Sequence, residues 1–238
     1  MSNRFNVLIE WEMLFLLSLR SILNRSGRID RGIEFYNRYT AGYLQGGGTS
    51  LDFNGTLYQI PRMVHQKGFS GFGEFVGMID GGLDVGNCFF SDPEVQVVHA
   101  KRMLKHRKIE YLGCYRSCIE DEPGHGTPVA GIAVGSVECK DCGLRQYNGV
   151  APDAKLVFFG TGIIDGFDPE VANFTKFFNE ASSIGCCVMS ISWGLKGEFY
   201  KGIQKFDNHA YSYPSMAFVA ASGNSKLSNS ILVPGSCK

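Results

Sequence analysis

Four short apolar runs, Phe75 to Asp80, Ala154 to Phe159, Cys186 to Ile191 and Met216 to Ala221, constrain most tightly what this chain folds into. Each is partly β-branched or aromatic and stops near Gly, Asp or Ser, the pattern of buried strands. Helical patterns lie between them, and strands joined through helices run parallel. The clearest helix takes Asp168 as N-cap and Pro169 in its first position. It then carries Val171, Phe174, Phe178, Ala181 and Ile184 on one stripe and ends at Gly185. A second begins near Thr127 with Pro128 in its first turn, and a third spans Phe199 to Ala210 with Phe199, Ile203 and Phe206 at helical spacing. The expected fold class is α/β, a parallel sheet flanked by helices on both faces.

At 238 residues and 44% apolar, the chain is long enough for one full core. Its 23 basic and 23 acidic side chains balance, so charge does not steer it to nucleic acid or an anionic membrane. Thirty glycines imply many tight turns or close backbone approaches, and there is no internal repeat. No run reaches the roughly 18 apolar residues of a membrane span. Met13 to Leu19 is apolar but follows Glu10 and Glu12, where a signal peptide has positive charge. It reads instead as a short amphipathic or disordered stretch. Residues 1–33 form a poorly defined N-terminal segment, Gly46 to Gly48 a linker or turn, and the domain proper starts at about residue 34.

Three places carry chemistry. Met78-Ile79-Asp80-Gly81-Gly82-Leu83-Asp84 puts a carboxylate at the end of a buried strand, where open α/β sheets assemble sites. Gly124-His125-Gly126-Thr127-Pro128 holds an imidazole between two glycines at a helix start, with nothing beside it to block a substrate. Phe218-Val219-Ala220-Ala221-Ser222-Gly223-Asn224 ends a third strand in an amide donor. Asp80, His125 and Asn224 together supply three parts of an acyl-transfer site. The acid orients the imidazole, the imidazole takes a proton from a hydroxyl, and the amide stabilises the oxyanion.

These motifs, in this order, resemble the subtilisin-like serine proteases, the subtilases, over roughly residues 70 to 238. Gly149-Val150-Ala151-Pro152-Asp153-Ala154-Lys155 is similar to the segment leading into the family's next core strand. Ser190-Ile191-Ser192-Trp193-Gly194 resembles the strand that pairs with substrate backbone, which makes Ser192, Trp193 and Gly194 the substrate-binding candidates, with Trp193 offering an apolar contact. Val233-Pro234-Gly235-Ser236 is similar to the turn on the far side of the specificity pocket. The resemblance implies a serine endopeptidase acting on peptide or protein substrates, needing no cofactor, and an extracellular or vesicular setting. Some subtilases bind calcium, and Asp84 and its neighbouring loops are where a site would be sought.

Two departures touch geometry: Pro128 stands where the family most often has a second histidine, and Gly81 where it often has Thr or Ser. A third concerns the nucleophile. The family carries it in a Gly-Thr-Ser-x-Ala-type motif well downstream of the oxyanion Asn, and the sequence reaches Lys238 without one. Gly48-Thr49-Ser50 precedes Asp80 and reads as a loop, while Ser236 follows Asn224 too soon and reads as pocket backbone. Residues 34–238 are therefore expected to be a partial peptidase domain with its C-terminal part missing, inactive alone, with some apolar sheet face left open. Residues 1–33 are compatible with a propeptide remnant.

Cys114 and Cys118, with Cys139 and Cys142, have a spacing compatible with a four-thiolate zinc site, although disulfides or free thiols in loops fit better. Cys186-Cys187 is expected within a strand, at least one of them as apolar filler. The competing functional class is a non-catalytic protease homologue whose groove accepts an extended peptide as an added strand. Dinucleotide binding fails, because no Gly-x-Gly-x-x-Gly opens a helix after Gly77.

Overall fold

A computed structural model describes residues 49–51, 57–59, 65, 67–114, 124–139, 144–162, 174–194, 200–223 and 231–236. A short antiparallel hairpin pairs β1 (Thr49–Leu51) with β2 (Leu57–Gln59). Thr49 and Ser50 are thus strand residues and not the loop expected from the sequence. The main sheet has five strands in the order β4-β5-β3-β6-β7, all parallel. They are β3 (Phe75–Asp80), β4 (Ile109–Cys114), β5 (Lys155–Gly160), β6 (Val188–Ile191) and β7 (Ala217–Ala220). Among the described residues three α-helices accompany them: α1 (Gly126–Val134), α2 (Phe174–Ile184) and α3 (Tyr200–Ser212).

The pleat sends alternate side chains to opposite faces, which builds two cores. Val76 and Met78 of β3 and Leu156 and Phe158 of β5 point to one face, where Val129, Ala130, Ala133 and Val134 of α1 cover them. Ile79, Val157, Phe159, Met189 and Ile191 point to the other, under Phe174, Phe177, Phe178 and Ala181 of α2 and Phe206 of α3. Phe174 is the hinge of this second core: its ring lies 4.8 Å from Phe206 and 6.1 Å from Trp193. Helices on both faces leave the central strands β3, β5 and β6 covered. Half-exposed apolar side chains remain at Phe75, where β3 begins, and at Ala217, Phe218 and Ala220 of the edge strand β7.

The stripe Phe174, Phe178, Ala181 and Ile184 is buried as its spacing requires, and Gly185 follows with φ +104, a left-handed conformation that closes the helix. Asp168, Pro169, Val171 and Phe199 lie outside the described residues, as do Gly46 to Gly48. Cys186 and Cys187 precede β6. The Cys186 N–H donates to Ala181 O at the end of α2, so Cys186 belongs to the helix closure, while the Cys187 carbonyl, one residue before β6, accepts the Ala217 N–H of β7. Cys186 is still an apolar filler, and burial pushes its thiol well above the usual range.

The sequence reading missed β4, because charged residues stand just before and just inside its start. Lys108 and Glu110 are 2% and 1% exposed. Glu110 receives Arg102 at 2.6 Å and Lys155 at 3.2 Å, and Lys108 Nζ donates to Pro152 O at 2.7 Å and Ala154 O at 2.5 Å. With these partners the strand tolerates burial at a sheet edge. No helix among the described residues is long and apolar enough to cross a membrane.

Candidate active site

Asp80 is the last residue of the central strand, so its side chain leaves the sheet at the carboxyl end, beside the loops that follow β5, β6 and β7. It is fully buried. Its Oδ1 accepts the Gly81 N–H at 2.7 Å and faces His125 Nδ1 at 2.8 Å. Its own carbonyl is held by Thr161, whose N–H and hydroxyl donate at 2.8 and 3.0 Å. Asp80 Oδ2 is buried without a hydrogen-bond partner among the described residues.

His125 reaches this carboxylate because α1 starts against the Asp80 loop. Gly124, at φ +77, makes the turn, and His125 sits at the N-cap. Gly126 then packs so closely that a Cβ there would lie 2.2 Å from Gly82 O and 3.2 Å from Asp80 Cβ. One turn of contact is locked by the Asp84 N–H, which donates to the Thr127 hydroxyl at 2.8 Å. Pro128, in the first turn, takes no part in an intrahelical N–H bond and fits there.

The His125 side chain is 40% exposed while Asp80 is not exposed at all. With Nδ1–H given to the carboxylate, Nε2 is the basic nitrogen of the ring. The pair is therefore an oriented imidazole with a proton-accepting atom at the rim of a sheet end, the arrangement needed to deprotonate a hydroxyl.

The third part of the sheet end comes from β6 and β7. Beyond β6, the Ala221 N–H donates to Ile191 O at 3.0 Å, so the two chains continue side by side toward Ser192 to Gly194 and Ser222 to Gly223. Leu232 N–H donates to Ser222 O at 3.1 Å, and a side chain at Gly194 would meet Leu232 Cβ at 2.5 Å. Segments 192–194 and 231–236 are thus neighbours. Val233–Pro234 is a cis peptide within the second of them. Ser192 and Gly194 are half-buried and Trp193 is buried. The Trp193 indole, expected to offer substrate an apolar contact, instead enters the core: its Nε1–H donates to Ile79 O at 2.9 Å. Asn224 lies outside the described residues; the chain reaches it through Gly223, at φ +103.

Cys114 and Cys139 are disulfide-bonded, which removes two thiolates from the zinc arrangement. No group of three His, Cys, Asp or Glu among the described residues is placed to hold a metal ion. Asp84 Oδ1 accepts the Gly86 N–H at 2.9 Å. No pair of His, Cys, Asp or Glu side chains joins it in a metal-holding group among the described residues.

Thr161 escaped the sequence reading. It follows Gly160, the residue in register with Asp80, so matching the ends of the two apolar runs would have pointed to it. Thr161→Val keeps the backbone donor and removes the hydroxyl. A loss of about 1 kcal/mol in urea unfolding is expected, the net worth of one buried hydrogen bond.

The model of the subtilase family matches residues 71–238. The chain is also similar to two serine protease/ABC transporter B family proteins of Dictyostelium discoideum. To tagB it is 30% identical over 177 residues, which cover 71% of this chain and 9% of that protein. To tagD it is 28% identical, covering 71% and 10%. To the C5a peptidase of Streptococcus pyogenes it is 22% identical over 184 residues, covering 68% and 16%. Among solved structures, MycP1 with its N-terminal propeptide removed matches with a TM-score of 0.46 and 20% identity, over 70% of this chain and 47% of that one. The chain spans about a tenth of the Dictyostelium relatives and less than half of the solved MycP1 chain.

Proposed function

The chain belongs to the subtilase family of serine peptidases, and from that premise we propose that it forms part of an endopeptidase working through a serine acyl-enzyme. Asp80 orients the imidazole, His125 is the general base and then the general acid, and the Asn224 side chain donates to the oxyanion. The observation that carries this reading is the 2.8 Å contact between His125 Nδ1 and the buried Asp80 Oδ1.

In this mechanism a serine hydroxyl attacks the scissile carbonyl while His125 Nε2 takes its proton. The resulting imidazolium faces Asp80, and the tetrahedral oxyanion lies against the Asn224 amide, a contact worth about 3–4 kcal/mol in comparable sites. His125 then protonates the leaving amine, and water releases the acyl group by the same steps in reverse. Ser192 to Gly194 hold the substrate backbone as an added strand. No cofactor is needed.

Residues 1–238 contain no Gly-Thr-Ser-x-Ala sequence, and we assign the attacking serine to none of them. Losing the serine of a subtilisin-type triad costs roughly 10⁶ in turnover. A fluorophosphonate probe tests both parts. The 238-residue form is expected to label no more than its His125→Ala variant, whereas a natural polypeptide that continues into such a motif is expected to label in a His125-dependent way. Labelling of the short form that His125→Ala abolishes would overturn the assignment. A complete polypeptide that binds peptides but never labels would be the non-catalytic homologue.

A further inference from the structure

We propose that Trp193 is a positioning residue, its indole N–H fixing the strand end that carries Asp80 while its backbone belongs to the substrate-binding segment. This inference rests on the Asp80–His125 reading above and adds to it a mechanical link between the groove and the dyad. The argument starts from the strand. Successive carbonyls of an extended chain point to opposite neighbours. Asp80 O is taken on the β5 side by Thr161, which leaves Ile79 O directed to the β6 side. There the β3 register with β6 ends at the pair Met78 and Ser190, one residue too early to serve Ile79.

The Trp193 Nε1–H meets Ile79 O at 2.9 Å, a buried bond between residues far apart in the chain. The ring is held in turn by Phe174, with centroids 6.1 Å apart and planes inclined by 28°. Asp80 is therefore clamped from both flanks, by a threonine after β5 and by a tryptophan after β6. Removing the indole donor leaves a buried carbonyl unpaired one residue before the carboxylate, and the strand end relaxes to find water. The flanking Ser192 and Gly194 are half-buried while Trp193 is buried, so one residue faces the core between two that keep some exposure. A peptide that pairs with this segment pulls on the same residue that sets the aspartate.

The test reads the dyad directly and needs no nucleophile. The His125 Nδ1–H proton, assigned by its absence in His125→Ala, is followed by low-field proton NMR in the 238-residue chain. Trp193→Phe is expected to move this resonance upfield and to speed its exchange roughly tenfold or more, the factor produced by about 1.4 kcal/mol of lost anchoring. Replacing Trp193 by benzothienylalanine, which keeps the shape and lacks the N–H, is expected to do the same in a chain that folds normally. Phe174→Leu loosens the same aromatic cluster but spares the indole donor, and is expected to leave the resonance in place. An unchanged resonance with either Trp193 replacement, or equal loss with Phe174→Leu, overturns the inference. If Asp80→Asn also leaves the resonance unchanged, the dyad reading itself falls, which is a separate result.

Discussion

Gly126→Ala is expected to part His125 from Asp80 although neither side chain is altered. The added methyl would lie 2.2 Å from Gly82 O, 3.1 Å from the tip of the Phe158 ring and 3.2 Å from Asp80 Cβ. The first of these is backbone and cannot swing aside. It belongs to a loop pinned by the Gly81 N–H on Asp80 and by the Gly162 N–H on Gly81 O at 2.9 Å. The start of α1 must retreat instead, and His125 retreats with it. Overpacking of this kind costs typically about 1–3 kcal/mol, and here the displacement falls on a hydrogen bond only 2.8 Å long. Gly131→Ala is the matched control: it lies on the same helix, its methyl meets nothing within 4 Å, and it is expected to stabilise by about 1 kcal/mol. Thermal melts and the His125 Nδ1–H resonance check both variants. A Gly126→Ala chain with the wild-type resonance and melting temperature would show that the helix start is not held against the Asp80 loop.

The glycine illustrates what was legible in the sequence. Gly124-His125-Gly126 read as an open imidazole at a helix start, because small residues on both sides of a histidine have a local meaning, whereas the close packing of Gly126 on the Asp80 loop is visible only in the fold. Likewise Phe75 to Asp80 read as a strand with a carboxylate at its exit, since the apolar run and the Gly81-Gly82 break are both local. The meeting of Asp80 with His125 is not local. It depends on β5 entering the sheet between β3 and β4, so that α1 packs over the exit of β3, and no spacing encodes that. Family resemblance supplied the pairing in advance.

The misses have physical causes of the same kind. Lys108 and Glu110 hid β4 because charge marks a solvated segment until its partners are known. Those partners, Arg102, Lys155 and the carbonyls of Pro152 and Ala154, come from other segments. Cys186 and Cys187 were assigned to β6 because an apolar run cannot show where a helix closure ends and a strand begins. The family resemblance of its segment suggested an apolar contact for Trp193 near the pocket, whereas its indole is buried in the core. Strand alternation carried the opposite message, since Ser192 and Gly194 share one side and Trp193 must take the other.

The buried lysine sets the second large effect, a dependence of stability on pH that runs upward from acid to mildly alkaline solution. Burial lowers the Lys108 ammonium to about 7, with Arg107 and Lys155 adding repulsion and Asp153 opposing them. A neutral amine still has two N–H donors, which match the two carbonyls it serves, so deprotonation leaves Pro152 O and Ala154 O satisfied. The unfolded lysine titrates near 10.4. Between that value and about 7 the unfolded chain binds the extra proton, so stability is lost as pH falls through this window and the loss stops below it. His106 continues the trend: burial holds it below the usual imidazole range, Asp92 opposing and Arg107 and Lys155 assisting. Its Nδ1 accepts the N–H groups of Lys108 and Ile109 at 3.1 and 2.9 Å, which a protonated Nδ1 cannot do. Stability therefore falls further below about pH 6.5. In the other direction, burial raises the Cys186 thiol, so above about pH 8.5 the unfolded chain ionises first, and this one-proton loss cancels the Lys108 gain until about pH 10.4, above which stability falls. The unfolding free energy from urea melts is expected to level off above about pH 8.5 and to drop by roughly 2 kcal/mol on going down to pH 7, at about 1.4 kcal/mol per pH unit for one proton. Lys108→Met is expected to be less stable throughout, because it leaves two carbonyls unpaired at about 1–3 kcal/mol each, yet flat between pH 8.5 and 7. A variant that keeps the wild-type slope in that interval would place the titrating group elsewhere than Lys108.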